Sequence, residues 1–357
     1  VSYIDTNGEI VSTARTWERI HNYNVGIDLG LFNDRFIANV DFFIKKNNNM
    51  LIAAQYPGIL GDKAPSMNLG KLEAKGWEGI FAWTDKLGEV RYNLGATLTY
   101  STNILKDLGT TSVMSSGFHA TQEGYPLNSY FGLRYTGKIQ NEEQLQKYKD
   151  YYLLGNAIGM QDNIRLGDNM FEDVNNDGKL DEKDLVYLGS DDPKFSYSFN
   201  LGLEWRGFDI SLVFQGVGQR TIFREGNAWR VPMSYTYLNT TTQSVGNIWS
   251  QDTPDAYYPS YSNTKSINDY NYQCSSWSVE DGAYVRLKNL TIGYNFSSKL
   301  LSRTKVIQKL RLYMAGIDLW EHTKIKDGWD PEQSRTVSGI GRYPFNRSYS
   351  FGVNVTF

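Results

Sequence analysis

The sequence predicts an all-β fold, namely the C-terminal portion of a large antiparallel transmembrane β-barrel. Three observations predict it: runs that alternate apolar and polar residues, connections that alternate between short and long, and an aromatic last residue, Phe357. Aromatic residues make up 14% of the chain and glycine occurs 33 times, which favours strands and turns over helices. No apolar stretch approaches the roughly 18 residues of a membrane-spanning helix, but a barrel strand needs only every second residue to face lipid.

The alternating runs are the predicted strands. Side chains of successive strand residues point to opposite faces, so a period of two indicates a strand with one apolar face. A ninth run, Leu310 to Leu319, is apolar on both faces, and its register stays open. The eight clear runs are 25–31, 36–44, about 68–83, 92–100, 195–205, 208–214, 284–296 and 349–357.

The connections predict how the wall is oriented. Transmembrane barrels have short periplasmic turns and long extracellular loops, and an aromatic C-terminus is expected on the periplasmic side. By this count, residues 102–194 and 218–283 are long extracellular loops. Short connections at 33–35, 85–89 and 206–207 and a medium one at 297–308 alternate with long ones at 47–67, 102–194, 218–283 and 320–346.

Closure of the barrel predicts further strands outside this chain. An open sheet edge cannot lie in hydrocarbon, because each unsatisfied backbone group costs several kcal/mol. Nine strands with loops of this size would make a small barrel with a disproportionate outer mass, so we expect upstream strands to complete it. The first residues, from Val1, show no signal-peptide pattern, which places the expected N-terminus upstream.

Aromatic residues near the strand ends predict girdles at the membrane interfaces. Trp83, Tyr100, Trp205 and Tyr294 have the required positions. The alternative is the general preference of strands for aromatic residues.

One segment, residues 173–184, has the spacing of a calcium-binding EF-hand loop. Gly178 occupies the sixth position, where the loop turns sharply, and Leu180 is expected to anchor the loop on apolar surface. Asp184 replaces the usual glutamate, and its shorter arm weakens bidentate capture. We expect a structural Ca²⁺ site, the alternative being an Asx-Gly turn without metal. The predicted ligands are Asp173, Asn175, Asp177, the carbonyl of Lys179, Asp181 and Asp184.

The connection 218–283 is rich in aromatic residues interleaved with Asn, Ser and Thr, a composition that suits the binding of sugar rings or peptides. The alternative is that the loop packs on its own aromatic residues. The candidate ligand-binding residues are Trp229, Tyr235, Tyr237, Trp249, Tyr257, Tyr258 and Tyr261.

Other classes of function find no support in the sequence. The three histidines are scattered and no nucleophile elbow occurs, so no catalytic site and no enzyme is predicted. A net charge of −3 gives no argument for nucleic acid. The single cysteine, Cys274, excludes an intrachain disulfide.

Three stretches resemble one family, the SusC/RagA-type TonB-linked outer-membrane proteins. Residues 123–137 resemble its Gly-x-Pro…Tyr-Gly segment, 171–200 its Asp-Val-Asn-x-Asp-Gly block, and 280–296 its late Arg-Leu-Lys-Asn strand. The resemblance implies a 22-stranded barrel in the outer membrane of Gram-negative cells. It also implies import of oligosaccharides or peptides, energised through TonB and assisted by a SusD-like surface lipoprotein. The plug and the TonB-contact segment are N-terminal in the family and lie outside this chain.

The sequence therefore favours outer-membrane import of oligosaccharides with a SusD-like lipoprotein. A peptide importer of the same family is the first alternative. A TonB-linked siderophore receptor would share the barrel but lack the lipoprotein. A soluble carbohydrate-binding β-sandwich would have no outward apolar belt.

Overall fold

The computed structural model describes residues 2–4, 10–12, 15–53, 66–108, 113–116, 119–149, 163–223, 242–325, 330–332 and 345–357. The helices are α1 (Glu142–Lys149), α2 (Lys265–Asn271) and α3 (Ser298–Leu301), with 3-10 turns at Glu182–Asp184, Thr242–Ser244 and Ser302–Thr304. The strands are β1 (Ser2–Ile4), β2 (Ile10–Ser12), β3 (Ile20–Leu31), β4 (Phe36–Ala53), β5 (Ser66–Leu87), β6 (Val90–Asp107), β7 (Val113–Ser116), β8 (His119–Gln122), β9 (Ser129–Gly132), β10 (Tyr135–Lys138), β11 (Asn169–Phe171), β12 (Val186–Ser190), β13 (Phe195–Trp205), β14 (Phe208–Gly218), β15 (Thr221–Phe223), β16 (Val279–Asp281), β17 (Tyr284–Asn295), β18 (Lys309–Thr323) and β19 (Ser348–Thr356).

Nine long strands form one antiparallel sheet, which we call the wall. Its order is β3-β4-β5-β6-β13-β14-β17-β18-β19, so each strand pairs with the next long strand along the chain. The short connections all lie at one edge of the wall, the turn side, and the long ones at the other, the loop side. This order confirms the predicted all-β, antiparallel barrel wall. β3 and β19 each have one unpaired edge in the described part of the chain.

The register gives every strand the same apolar face. One row across the wall consists of large apolar or aromatic side chains with a single glycine, and the neighbouring row on the opposite face consists of small or polar residues. The apolar row is Leu31, Phe36, Trp83, Leu94, Leu201, Leu212, Leu290, Gly316 and Tyr349. The row on the polar face includes Thr84, Asn93, Gly202, Ser211, Thr291, Ala315 and Ser350.

Side chains of the apolar face are exposed to the surroundings. Val25, Leu94, Phe199 and Phe351 are between 46% and 81% exposed. Among the described residues no second sheet covers this face, which excludes the β-sandwich alternative, because a sandwich would bury these side chains between two sheets.

Two bands of aromatic residues border the apolar face. Trp77, Tyr100 and Phe195 pair across the loop side, and Trp205, Phe208 and Tyr294 across the turn side. The 11 residues of β13 join the two bands over about 33 Å of strand, or about 25 Å of height at a tilt of about 40°. That height matches the apolar band of a transmembrane barrel. Tyr100, Trp205 and Tyr294 lie in the two bands, as predicted for girdle residues, whereas Trp83 lies between the bands in the row of Leu94, so the girdle prediction is wrong for it.

On the polar face, side chains bond across neighbouring strands. Asn24 donates to Asp41 at 3.1 Å between β3 and β4. Asn295 donates to Asp209 at 2.7 Å, and Arg311 forms an ion pair with the same carboxylate. A hydrated interior face accommodates such groups, whereas hydrocarbon would not.

The turn-side connections have the backbone that tight hairpins need. Arg206 and Gly207 both have positive φ, of 48° and 91°, which is the type I′ geometry whose twist matches the flanking strands. The connection 296–308 holds α3 and the 3-10 turn at Ser302–Thr304.

Several strands extend beyond the predicted ends. β4 reaches Ala53, β6 reaches Asp107 and β18 reaches Thr323, so parts of the expected loops 47–67, 102–194 and 320–346 belong to the wall. These strand ends project past the loop-side aromatic band. Neither face of the strand has to be apolar there, so the alternation of apolar and polar residues is lost. Helix α1 begins after Asn141, whose Oδ1 accepts from the amide of Gln144 at 2.9 Å and so caps the helix.

No helix among the described residues has both the length and the apolar character that a membrane crossing requires.

A charge on the apolar face should destabilise the wall. We expect Leu94→Arg to lower the free energy of unfolding in detergent or lipid by about 2–4 kcal/mol, because the guanidinium would enter hydrocarbon. Thr97→Arg on the same strand serves as the control, since Thr97 is exposed on the polar face. Urea unfolding of the intact protein in vesicles measures both, and equal losses would contradict the assignment of the two faces.

Candidate functional site

The two longest connections fold together into one body at the loop side, which we call the loop body. Its hydrophobic core takes residues from both connections. Tyr270 donates its hydroxyl to the carbonyl of Asn169 at 2.7 Å and contacts the hydroxyl of Tyr148 at 2.8 Å. Neither connection has a complete core alone. The core residues are Leu133, Ile139, Leu145, Tyr148, Ile164, Phe171, Leu180, Ile267 and Tyr270.

A buried polar junction joins the same two connections. Asn271 accepts from the amide of Asn169 at 2.8 Å and donates to Asp168 Oδ1 at 2.9 Å. Asp168 also accepts from Ser260 Oγ at 3.0 Å and from the amide of Arg165 at 2.9 Å. Burial raises the pKa of Asp168 above its usual value, although these hydrogen bonds act in the opposite direction.

The predicted ligand-binding aromatics occupy different environments. Tyr258 is buried against Tyr272 and Trp277 in a second cluster of the loop body, so the alternative of internal packing holds for it and direct ligand contact does not fit. Trp249 is partly buried, and its indole donates to Gln140 Oε1 at 2.9 Å. Trp229, Tyr235 and Tyr237 lie outside the described residues.

Two of the predicted aromatic residues are accessible. Tyr261 is 58% exposed and Tyr257 is 37% exposed. The backbone carbonyl of Tyr261 accepts from Arg165 at 3.3 Å, which ties this part of the second connection to the first. The Tyr257 ring also packs against Tyr258 and Trp277, at 5.1 Å and 5.3 Å between ring centroids. Among the predicted aromatic residues that the structure describes, Tyr261 is therefore the most accessible to a ligand.

Residues 173–184 form a tight loop that is closed by its own side chains. The Asp173 carboxylate accepts from the amides of Gly178 at 2.8 Å and Asp177 at 3.2 Å. Gly178 has a φ of 79°, which explains the need for glycine at the sixth position. Leu180 is buried in the core of the loop body, which confirms its predicted role as the anchor of the loop.

Asp184, at the last position of this loop, is fully buried. Its Oδ1 accepts from the amide of Val174 at 2.8 Å and its Oδ2 from the amide of Asp181 at 2.8 Å. The Asp181 side chain accepts in return from the amide of Lys183 at 2.8 Å. The two ends of the loop are thus joined through Asp184.

The predicted metal ligands therefore face backbone amides. In the part of the chain that the structure describes, no three His, Cys, Asp or Glu side chains are grouped so as to hold a metal ion. The donor set consists of oxygens alone, which suits Ca²⁺. Binding would require the carboxylates of Asp173 and Asp177 to exchange amide partners for the ion.

A buried charge cluster on the polar face was missed by the sequence analysis. Arg286 on β17 has a side chain only 2% exposed. It pairs with Glu321 on β18, with Asp330 at 2.7 Å and with Glu332 at 3.0 Å. The rings of Tyr284 and Phe345 lie 5.6 Å and 5.4 Å from its guanidinium carbon.

Lys288 extends the cluster. Its ammonium lies 2.9 Å from Glu332 and 3.2 Å from Asp318. The available signal in the sequence was the pair of cations, Arg286 and Lys288, within an otherwise apolar run, but their partners are distant in sequence.

Comparison with known proteins shows what the chain is similar to. No family model matches it. It is 26% identical over 374 residues to TonB-dependent receptor P26 of Formosa agariphila, covering 96% of this chain and 35% of that protein. It is 22% identical over 356 residues to TonB-dependent receptor SusC of Bacteroides thetaiotaomicron, covering 96% and 32% respectively. The chain thus spans about a third of the length of these relatives.

Solved structures show the same fold. The RagAB peptide transporter superposes with a TM-score of 0.74 at 21% identity, covering 100% of this chain and 38% of the matched chain. The RagAB peptide importer in its open-open state gives a TM-score of 0.73 at 21% identity.

A single-layer wall with one apolar face, two aromatic bands and all long connections on one side defines an outer-membrane β-barrel of Gram-negative bacteria. The particular fold is that of the C-terminal part of a TonB-dependent transporter barrel, and over 96% of its length the chain resembles TonB-dependent receptors, SusC among them.

The thiol of Cys274 should be unreactive in the folded protein. Cys274 is 5% exposed in the loop body, and burial raises its pKa to about 12. Because the thiolate is the reactive form, we expect negligible modification by iodoacetamide at pH 8 and a rate that rises with pH. Unfolding in guanidinium restores a pKa near 8.5 and should give one fast-reacting thiol. Rapid labelling of the native protein at pH 8 would contradict the packing of the loop body.

Proposed function

We propose that the protein containing this chain imports oligosaccharides across the outer membrane, with energy supplied through TonB and with a SusD-like lipoprotein as its surface partner. The TonB contact would be made by a part of the protein outside this chain. Outer-membrane lipid would surround the apolar face of the wall, and the loop body would form the extracellular entrance.

The observation that carries this proposal is the two-faced wall together with the likeness to SusC over 96% of the chain. A polar inner face with hydrogen-bonded Asn, Asp and Arg side chains suits a path for hydrated cargo. The position of the loop body on one side of the wall suits both capture of cargo and contact with a second protein.

Oligosaccharide is the favoured cargo because of the exposed aromatic surface. Tyr261 is 58% exposed and Tyr257, which also packs against Trp277, is 37% exposed, both within a segment rich in Asn, Ser and Thr. Ring faces with adjacent hydroxyl and amide groups suit the apolar faces and hydroxyls of sugars. Trp249, with its indole already bonded to Gln140, would form the border of this surface.

Peptide import is the second candidate, favoured by the superposition on the RagAB peptide transporter. The same surface could bind a peptide through its amides and aromatic side chains. The two candidates differ in the cargo that the purified protein retains, and both require a lipoprotein partner that copurifies.

Replacement of one exposed ring tests the cargo class. The probes are a panel of neutral oligosaccharides and a tryptic peptide digest, titrated against the purified protein with its copurified lipoprotein. We expect oligosaccharide binding, and we expect Tyr261→Ala to raise Kd by about threefold to tenfold, equivalent to about 0.5–1.5 kcal/mol. Val245→Ala, at a non-aromatic position of the same connection that is 79% exposed, is the matched control. Retention of peptides alone would reject oligosaccharide in favour of the peptide candidate.

We also propose that residues 173–184 bind Ca²⁺ in a structural role, supported by the oxygen donors at Asp173, Asn175, Asp177, the carbonyl of Lys179, Asp181 and Asp184, and by the sharp turn at Gly178. The ion would replace the side-chain-to-amide bonds that close the loop. The buried anchor Leu180 would pass the added stability to the core of the loop body.

Calcium should raise the unfolding midpoint of the loop body. At free Ca²⁺ of 100 times Kd, the stabilisation would be about 2.7 kcal/mol. We expect Asp177→Ala to abolish the rise, because it removes a ligand oxygen, whereas Glu182→Gln should retain it, because Glu182 is exposed and occupies a position that supplies no ligand. Thermal unfolding with EDTA and with Ca²⁺ measures both variants. An identical unfolding midpoint in the two buffers would reject the Ca²⁺ site. The loop would then be closed without metal, by the hydrogen bonds of Asp184.

A further inference from the structure

Three residues of the last long connection, Asp330, Pro331 and Glu332, lie against the polar face of the wall. We call them the acidic strap. Arg286 holds both carboxylates of the strap, at 2.7 Å and 3.0 Å. Lys288 holds Glu332 at 2.9 Å. The strap is therefore attached to two cations of one wall strand, β17.

A third cation attaches the strap to the other long connections. Arg220 Nη1 donates to the carbonyl of Pro331 at 2.7 Å. The same guanidinium pairs at 3.0 Å with Asp191, which is buried and lies at the end of the first very long connection. Three of the four long connections thus meet at the strap.

The face of the wall that the strap covers is identified by the register. Arg286 pairs in the ladder with Gln215 on β14 and Glu321 on β18. Gln215 pairs in turn with Ser198. This row belongs to the polar face, and Arg286 lies close to the loop-side end of β17. The strap therefore lies against the inner face of the wall near the loop-side end of β17.

The attachment is too strong to open readily. Arg286 is buried between the Tyr284 and Phe345 rings, so release of the strap would leave a buried guanidinium with only one of its three carboxylates. Removing one partner of a buried ion pair is strongly destabilising, because the remaining charge stays desolvated. A strap held in this way is a permanent part of the mouth.

We propose that the acidic strap is a fixed constriction at the outer mouth of the barrel, that Arg286 is its positioning residue, and that it limits by size what reaches the inner wall. The proposal rests on the proposed function only in treating the polar face as the path of cargo. Its tests use chemical probes instead of cargo, so failure of oligosaccharide import and failure of the strap are distinguishable.

The first test measures the attachment of the strap. Pro331 is buried, and Pro331→Cys keeps both carboxylates, so in the intact protein this cysteine should react slowly with N-ethylmaleimide. Adding Arg286→Met should raise the rate at least about tenfold. Adding Arg311→Met is the matched control, since Arg311 pairs with Asp209 on the same face but lies at the turn-side end of the wall, away from the strap. The native thiol, Cys274, is buried and contributes little background.

The second test measures the constriction. Gln215 lies on the inner face in the row of Arg286 and is exposed, so the variant Gln215→Cys places a thiol there. We expect N-ethylmaleimide to modify it and a bulky polyethylene-glycol maleimide to fail. With Arg286→Met added, the bulky reagent should react as well, whereas with Arg311→Met it should still fail.

A second route releases the strap without changing the wall. The double variant Asp330→Asn, Glu332→Gln removes both carboxylates from the strap. It should give the same two labelling results as Arg286→Met, and it replaces Arg286→Met if that variant fails to fold. Heat-modifiable migration in gels reports the folded barrel for every variant. Unchanged labelling of Pro331→Cys in a folded, released variant would overturn the attachment, and equal access of both reagents to Gln215→Cys with the strap intact would overturn the constriction.

Discussion

The structure depends on one constraint: every backbone N–H and C=O within a membrane needs a partner, because hydrocarbon supplies none. Nine consecutive antiparallel strands meet this requirement across most of the wall. Each strand pairs with its neighbour in a register that keeps apolar side chains on one face and small or polar ones on the other. The unpaired edges of β3 and β19 are the places where the same requirement calls for further strands.

The loop body follows a different rule, because it lies beyond the aromatic bands and in water. There, apolar residues must be buried inside a compact core rather than exposed on one face. The first and second very long connections share that core, and the Asp168–Asn169–Asn271 junction satisfies the polar groups that burial traps. Since neither connection completes the core alone, the shape of the loop body depends on both.

Asp184 and Arg286 are both buried charged residues, but they have different structural roles. Asp184 is satisfied by backbone amides of its own loop, so it closes a local structure. Arg286 forms ion pairs with carboxylates from a neighbouring strand and from the last long connection, so it joins distant parts of the chain. Loss of one partner would leave the other charge buried and desolvated, so Arg286 fixes the position of Asp330 and Glu332 against the wall.

The sequence by itself determined the wall, since the alternation of side chains along a strand is a local property that a two-residue period records. It also predicted the anchor at Leu180, because the spacing of the loop at 173–184 is a local pattern. The predicted positions of the strand ends were less accurate. Ala53, Asp107 and Thr323 lie where both faces of the strand meet water, so the sequence there does not alternate between apolar and polar residues. The register of Leu310–Leu319 was decided by pairing, with an irregularity near Asp318, whose φ is positive. Only the tertiary structure separated the buried Tyr258 from the exposed Tyr261, and only it brought Arg286 to Asp330. These outcomes depend on contacts between residues far apart in the chain, which no local pattern encodes.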